Sequence, residues 1–259
     1  MKKTTFARRT SLWLTLMAIT CAPLAAQTGP GFGSLKCEQE TDPVGIETPS
    51  PRFSWQLVSP ERGCRQTAYR IVVAGTEKDA AAGRATMWDS GKVPGEQSLL
   101  IPYNGQPLEA AETYYWSVRV WGPDGKPSAW SPAQRFTMGL PDREDWSGAR
   151  WIALEEDVDS LIVINGTFDT PVRRATAYVC GLGQFELFLN GEKTGDHFLD
   201  PAWTKFDKEA QYVSFDVSHR LRQGANAVGA MLGNGFFNIP RERYSKFAGS
   251  YGAPKMIFK

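Results

Sequence analysis

The sequence predicts an all-β protein made of two tandem β-sandwiches. Short segments with period-2 apolar alternation recur along the chain with turn signals between them. Helical heptads, a long amphipathic helix and tandem repeats are missing from the pattern. A Pro-containing acidic stretch, GLPDREDW, interrupts the series midway and divides it in two. The 259 residues leave room for about two domains of ordinary size. At 42% hydrophobic and 22% charged the composition is that of a globular chain. Nine Trp, eight Tyr and fourteen Phe supply rigid apolar area that suits β-sandwich cores and sugar-stacking surfaces alike.

The N-terminus has the three parts of an export signal. Lys2, Lys3, Arg8 and Arg9 form a basic region, LWLTLMAIT from Leu12 to Thr20 an apolar one, and Ala25-Ala26-Gln27 a cleavage site after Ala26. Residues 1–26 are therefore read as a signal peptide, the mature chain as periplasmic or extracellular. The apolar run is too short to span a bilayer, so no membrane span is expected. The residues flanking Arg8-Arg9 fit twin-arginine export poorly, and Thr20 before Cys21 fits a lipid-anchor site poorly. Removing the four basic residues of the signal leaves 25 basic against 28 acidic residues, a net charge of −3. That balance excludes nucleic acid as the default partner. Cys37, Cys64 and Cys180 are too few and odd in number for a disulfide framework. Cys37 and Cys64 could bridge in an oxidising compartment, but free buried thiols are the expectation. Two histidines and no closely spaced Cys pairs argue against structural zinc.

The first sandwich is assigned to residues 34–138. PRFSWQLV, QTAYRIVVAG, MWDSGKV, SLLIPY, TYYWSVRVWG and QRFTMGL read as six strands and LKCEQE as a seventh. Seven short strands in about 100 residues argue for an immunoglobulin-like or fibronectin type III-like sandwich. In TYYWSVRVW, Tyr114, Trp116, Val118 and Val120 share one face, which should be core. Ser128-Ala129-Trp130-Ser131 near the end of this domain is read as Trp130 packing over the sheet edge. Residues 139–150 form the connector, with Trp146 and Trp151 as expected anchors onto the second domain.

The second sandwich is assigned to residues 151–259. LIVINGTFDTP, RRATAYVCGLG, QFELFLNGEKTG, AQYVSFDVSHRL and ANAVGAMLGNGFF all read as strands, in a jelly-roll rhythm. QFELFL places Phe185, Leu187 and Leu189 on one face. Asn190-Gly191 then supplies the two positive-φ positions of a type I′ turn. SHRLRQGAN is expected to hold one short helical turn.

The ordered set DPVGIETPSPRFSWQL, QTAYRIVVA, MWDSGKV, YYWSVRVWGPDGKPSAWS, FTMGL, GLGQFELFLNGEKTGDHFLDPAWT and LGNGFF resembles the N-terminal region of bacterial α-L-rhamnosidases of glycoside hydrolase family 78. The resemblance spans nearly the whole mature chain. It implies a fibronectin-like sandwich followed by a rhamnosidase N-terminal jelly-roll domain, with an (α/α)6 catalytic barrel further on. The second domain is also similar to carbohydrate-binding modules of family 67, some of which bind rhamnose through calcium. An inverting glycosidase needs two carboxylates flanking the scissile bond. The resemblance puts them in the barrel, and nothing in this sequence reads as one. No catalytic residue is carried onto this chain, which by itself is expected to be inactive. The second sandwich is expected to be truncated at its C-terminus, leaving an unpaired edge. The implied partners are rhamnose-containing glycans or glycosides and the missing catalytic domain. The implied role is a carbohydrate-binding or structural accessory module. A fibronectin-type adhesion protein without sugar binding is the alternative.

Two loops carry the candidate sugar-facing residues: Asp200, Trp203 and Phe206 in the first, and Asn234, Phe236, Arg241, Arg243 and Tyr244 in the second. Aromatic rings cover the C–H face of a sugar while planar polar side chains grip its hydroxyls. The competing reading staples Trp203 to the core and turns one of Phe236 and Phe237 inward. Asp196 and Asp200 are oxygen ligands of the kind calcium takes, but their spacing matches no loop motif. No metal or other cofactor is otherwise indicated. Gly233-Asn234-Gly235 lacks the context of a phosphate-binding loop. His197 is read as a packing or hydrogen-bonding residue.

Overall fold

The computed structural model describes residues 30–153, 160–169, 171–239 and 249–259, and the export signal read at 1–26 lies outside them. The first sandwich comprises β1 (Gly31–Cys37), β2 (Val44–Ile46), β3 (Arg52–Val58), β4 (Ala68–Ala74), α1 (Glu77–Ala81), β5 (Trp88–Asp89), β6 (Val93–Pro94), β7 (Ile101–Pro102), β8 (Thr113–Trp121) and β9 (Gln134–Met138). One sheet has the order β1-β3-β7, the other β2-β9-β8-β4-β5, with β6 also on β4. MWDSGKV splits into β5 and β6 around Gly91, whose φ is +64°. SLLIPY shrinks to β7 and leaves Leu99 and Leu100 exposed. In LKCEQE the strand stops at Cys37, because Glu38 and Gln39 turn into the left-handed region.

Tyr114, Trp116, Val118 and Val120 bury together as the alternation of β8 requires, against Phe53, Trp55 and Phe136. The Phe53 ring lies 4.7 Å from Trp116 and 5.7 Å from Phe136. The opposite face of β8 is covered too. Tyr115 packs with Ala80 of α1, which is capped by the Thr76 hydroxyl accepting from the Asp79 N–H. Trp130 lies over the Arg119 guanidinium at 4.6 Å and fills the space beside Gly83, where any side chain would meet the indole.

The second sandwich comprises β10 (Ile152–Ala153), β11 (Ser160–Phe168), β12 (Thr176–Leu182), β13 (Gln184–Leu189), β14 (Glu192–Lys193), β15 (Val213–Asp216), β16 (Gly224–Gly233), β17 (Asn238–Ile239), β18 (Gly249–Ser250) and β19 (Lys255–Phe258). Its two four-stranded sheets have the orders β10-β19-β12-β15 and β11-β16-β13-β14. Phe185, Leu187 and Leu189 enter the core with Val179, Phe215, Leu232 and Met256. Asn190 (φ +53°) and Gly191 (φ +88°) make the expected left-handed turn.

β19 is an interior strand, paired with β10 on one side and β12 on the other. SHRLRQGAN holds one hydrogen-bonded turn, with the Arg220 N–H donating to the Val217 carbonyl at 3.0 Å, and the buried Asn226 side chain, which accepts from the Arg222 N–H and donates to the Arg222 carbonyl, closes the turn that follows. The connector forms a 3-10 turn over Arg143–Trp146; Trp146 packs edge-on against Tyr212 at 5.3 Å, whereas Trp151 is 47% exposed.

The sandwiches meet through β15 and the end of β9. The Leu140 N–H donates to the Tyr212 hydroxyl oxygen at 2.8 Å, and the Tyr178 hydroxyl donates to the Met138 carbonyl at 2.9 Å. Arg135 pairs with Asp216 at 2.9 Å, and the Arg174 guanidinium donates to the Tyr115 hydroxyl. Cys37, Cys64 and Cys180 are all free. Burial raises the Cys37 thiol well above its ordinary value and pushes Cys180 up to about 11, so both stay protonated; Cys64 is exposed rather than buried. Among the described residues no helix is long and apolar enough to cross a membrane.

Candidate functional site

The two candidate loops leave the same end of one sheet. β13 pairs with β16 so that Gln184 opposes Gly233, which sets the start of one strand beside the end of the other. The turn Asn234–Phe237 continues from β16, and Gly235 has a φ of +50° with Gln184 close against it. The Phe185 N–H donates to the Asp200 carbonyl at 2.6 Å and so fixes the other loop to the same rim. That loop folds on itself where the Thr204 hydroxyl donates to the Glu209 carbonyl at 2.6 Å.

An aromatic cluster results. Trp203 and Phe236 lie with ring centroids 4.5 Å apart and tilted by 46°, and they are 62% and 48% exposed. Phe206 meets Phe237 edge-on at 5.3 Å, and Phe237 is the buried member that roots the group. Tyr251, absent from the sequence-derived set, packs at 5.6 Å from Phe206 and 5.8 Å from Phe237 while remaining 52% exposed. It directly follows β18, which pairs antiparallel with β17; both strands are two residues long and carry no periodic signal. The turn Gly-rich segment GSYG was the only cue available.

The polar candidates are placed differently. The Asn234 carboxamide oxygen accepts from the Asn238 side chain at 2.8 Å, so part of its hydrogen-bonding capacity holds its own turn. Asp200 turns its carboxylate to His197 Nδ1 at 3.1 Å. Asp196 lies at the opposite ring nitrogen, 3.8 Å from Nε2. The two carboxylates thus lie at different nitrogens of the same imidazole. Among the described residues no three His, Cys, Asp or Glu side chains group as metal ligands. Arg241, Arg243 and Tyr244 lie outside the described residues. The rim can thus offer ring faces to an apolar or C–H-rich ligand, with amide and carboxylate groups beside them.

Residues 32–142 match the family model described as the Rha78A-like, N-terminal immunoglobulin domain. Residues 170–259 match that of the alpha-L-rhamnosidase N-terminal domain. An alpha-L-rhamnosidase of Formosa agariphila is 37% identical over 253 residues, covering 86% of this chain and 27% of the relative. The chain spans about a quarter of the length of the curated relatives it matches most fully. The alpha-L-rhamnosidase structure from Dictyoglumus thermophilum superimposes with a TM-score of 0.76 at 32% identity, over 90% of this chain and 27% of that one. The Streptomyces avermitilis alpha-L-rhamnosidase complexed with L-rhamnose gives a TM-score of 0.74 at 20% identity, over 89% and 39%, and speaks to the fold alone. With one N-terminal-domain model covering each sandwich, the chain belongs to the α-L-rhamnosidase family, as its N-terminal region of an immunoglobulin-like domain followed by the rhamnosidase N-terminal domain.

Proposed function

We propose that this chain is the non-catalytic, carbohydrate-contacting region of an exported α-L-rhamnosidase, an enzyme hydrolysing terminal α-L-rhamnosides. The observation that carries the binding role is the exposed Trp203–Phe236 pair at the rim of the second sandwich. Two adjoining exposed rings form a face that a ligand can cover, and the C–H face of a deoxy sugar is a natural cover. Asp200, Phe206, Asn234 and Tyr251 border the same rim, and Arg241, Arg243 and Tyr244 follow it in sequence. Export rests on the three-part signal at residues 1–26.

Calorimetry with L-rhamnose and rhamnogalacturonan oligosaccharides, with and without calcium, tests the binding role. Millimolar affinity is expected, independent of calcium. Trp203→Ala should remove the rim's share of the heat and lower stability by only about 1 kcal/mol, the value of one aromatic pair. Absence of heat from the unsubstituted chain at millimolar ligand refutes the role.

A further inference from the structure

A second concavity, lined by none of the rim's aromatic residues, lies at the seam between the sandwiches. It encloses about 810 Å³, within the range of small-molecule sites. Its walls come from both domains and the connector, with Trp146 and Tyr212 among the lining residues. Trp146 is half-buried, edge-on to Tyr212, and so retains accessible ring surface. Tyr212 itself is committed to the seam: its oxygen accepts the Leu140 N–H, and burial together with the neighbouring Glu47 carboxylate raises its hydroxyl above the ordinary value.

Planar polar groups face the space from opposite walls: Glu47 on the first domain, Gln211 and Glu209 on the second. Carboxylates and carboxamides pair with vicinal hydroxyls, and an indole surface takes the C–H side of a ring. The charge of the lining narrows the ligand further. Glu47, Asp142 and Glu209 oppose a single guanidinium, Arg143, so an anionic guest is repelled. We propose that this interdomain cleft binds a neutral pyranose unit of a glycan and disfavours uronic acids. The cleft is a site distinct from the Trp203 rim, and it rests on the reading of the chain as part of a glycan-directed enzyme.

Indole N–H resonances of the 259-residue chain, followed by NMR during titration with L-rhamnose and separately with D-galacturonate, test the cleft and the rim independently. The Trp146 signal is assigned through Trp146→Phe and the Trp203 signal through Trp203→Ala. Rhamnose is expected to shift Trp146 saturably, with an affinity that Gln211→Ala weakens about fivefold and Trp203→Ala leaves unchanged; a lost hydrogen bond in a wet site accounts for about that much. Galacturonate should bind about tenfold more weakly or worse. A Trp146 signal that stays still overturns the cleft proposal, whatever Trp203 does. Equal binding of galacturonate, or loss of the Trp146 shift in Trp203→Ala, overturns it as well. A silent Trp203 with a responsive Trp146 would instead refute the rim reading alone.

Discussion

Asn190 illustrates how much a single side chain can hold. Its backbone is left-handed, a conformation that Asn and Gly adopt far more readily than other residues. Its carboxamide donates to the Arg220 carbonyl and to Asn226, both at 2.9 Å, and accepts the Ala227 N–H at 3.0 Å. The turn, its left-handed pair and its scaffolding role were all legible in the Asn-Gly dipeptide. The link to Asn226 was not, because nothing local says that a residue 36 positions away starts the neighbouring strand. Asn190→Ala should therefore cost about 2–3 kcal/mol from lost hydrogen bonds and backbone strain, whereas Asn190→Gly loses the bonds without the strain and should cost less. Urea denaturation of the two variants gives the comparison. Equal costs would show that the left-handed backbone contributes nothing, and no cost in either would remove Asn190 from the scaffold.

At the scale of elements, alternation identified core faces well and said nothing of what covers the other face. β8 shows this: Trp116 and Val118 were placed inside correctly, but Ser117 is fully buried as well because chain from elsewhere packs over its side of the sheet. The three-residue β2 was invisible, since it is too short to alternate and pairs in parallel with a strand about 90 residues on. β15 is the instructive case. Its Ser214 and Asp216, with Tyr212 just before it, share one face by alternation, and that face forms the seam with the first sandwich, where Ser214 lies against Gly45 and Tyr212 accepts the Leu140 N–H. The aromatic rim was legible for a related reason: it depended on two loops at one sheet end, which strand order supplied, while Tyr251 directly follows the two-residue β18. Tyr212→Phe should leave the buried Leu140 N–H without its acceptor and destabilise the chain by about 1–3 kcal/mol. A chemical-denaturation midpoint shifted downward with an unchanged slope is expected, and an unshifted midpoint would mean that the bond contributes nothing to stability.

For the whole molecule, the question is whether the two sandwiches act as one body, since the proposed cleft needs both of its walls. The Arg135–Asp216 pair crosses the seam with both side chains more than two-thirds buried. Burial raises the Asp216 carboxyl, but hydrogen bonds from the Ser218 hydroxyl and N–H together with Arg135 outweigh it and hold the group below the usual carboxylate range. A carboxyl depressed in the folded state adds stability that is complete above its unfolded value and vanishes as pH falls through its folded one. Glu38, Asp79 and Asp89 are depressed as well, by Arg52, by Thr76 with Arg84, and by Arg70, so the chain as a whole should weaken in acid. The seam's own share is isolated by Asp216→Asn, which keeps an acceptor for Ser218 while deleting the charge. At neutral pH the variant should be less stable by about 1 kcal/mol, and the gap should close as the pH is lowered through the acidic range in which carboxylates protonate. The other carboxylates titrate equally in both proteins and cancel. A gap that persists unchanged in acid would show that the pair does not tie the sandwiches together, and the fixed geometry that the cleft requires would then have to come from the other seam contacts, the Tyr178 and Tyr212 hydrogen bonds and the Arg174–Tyr115 bond.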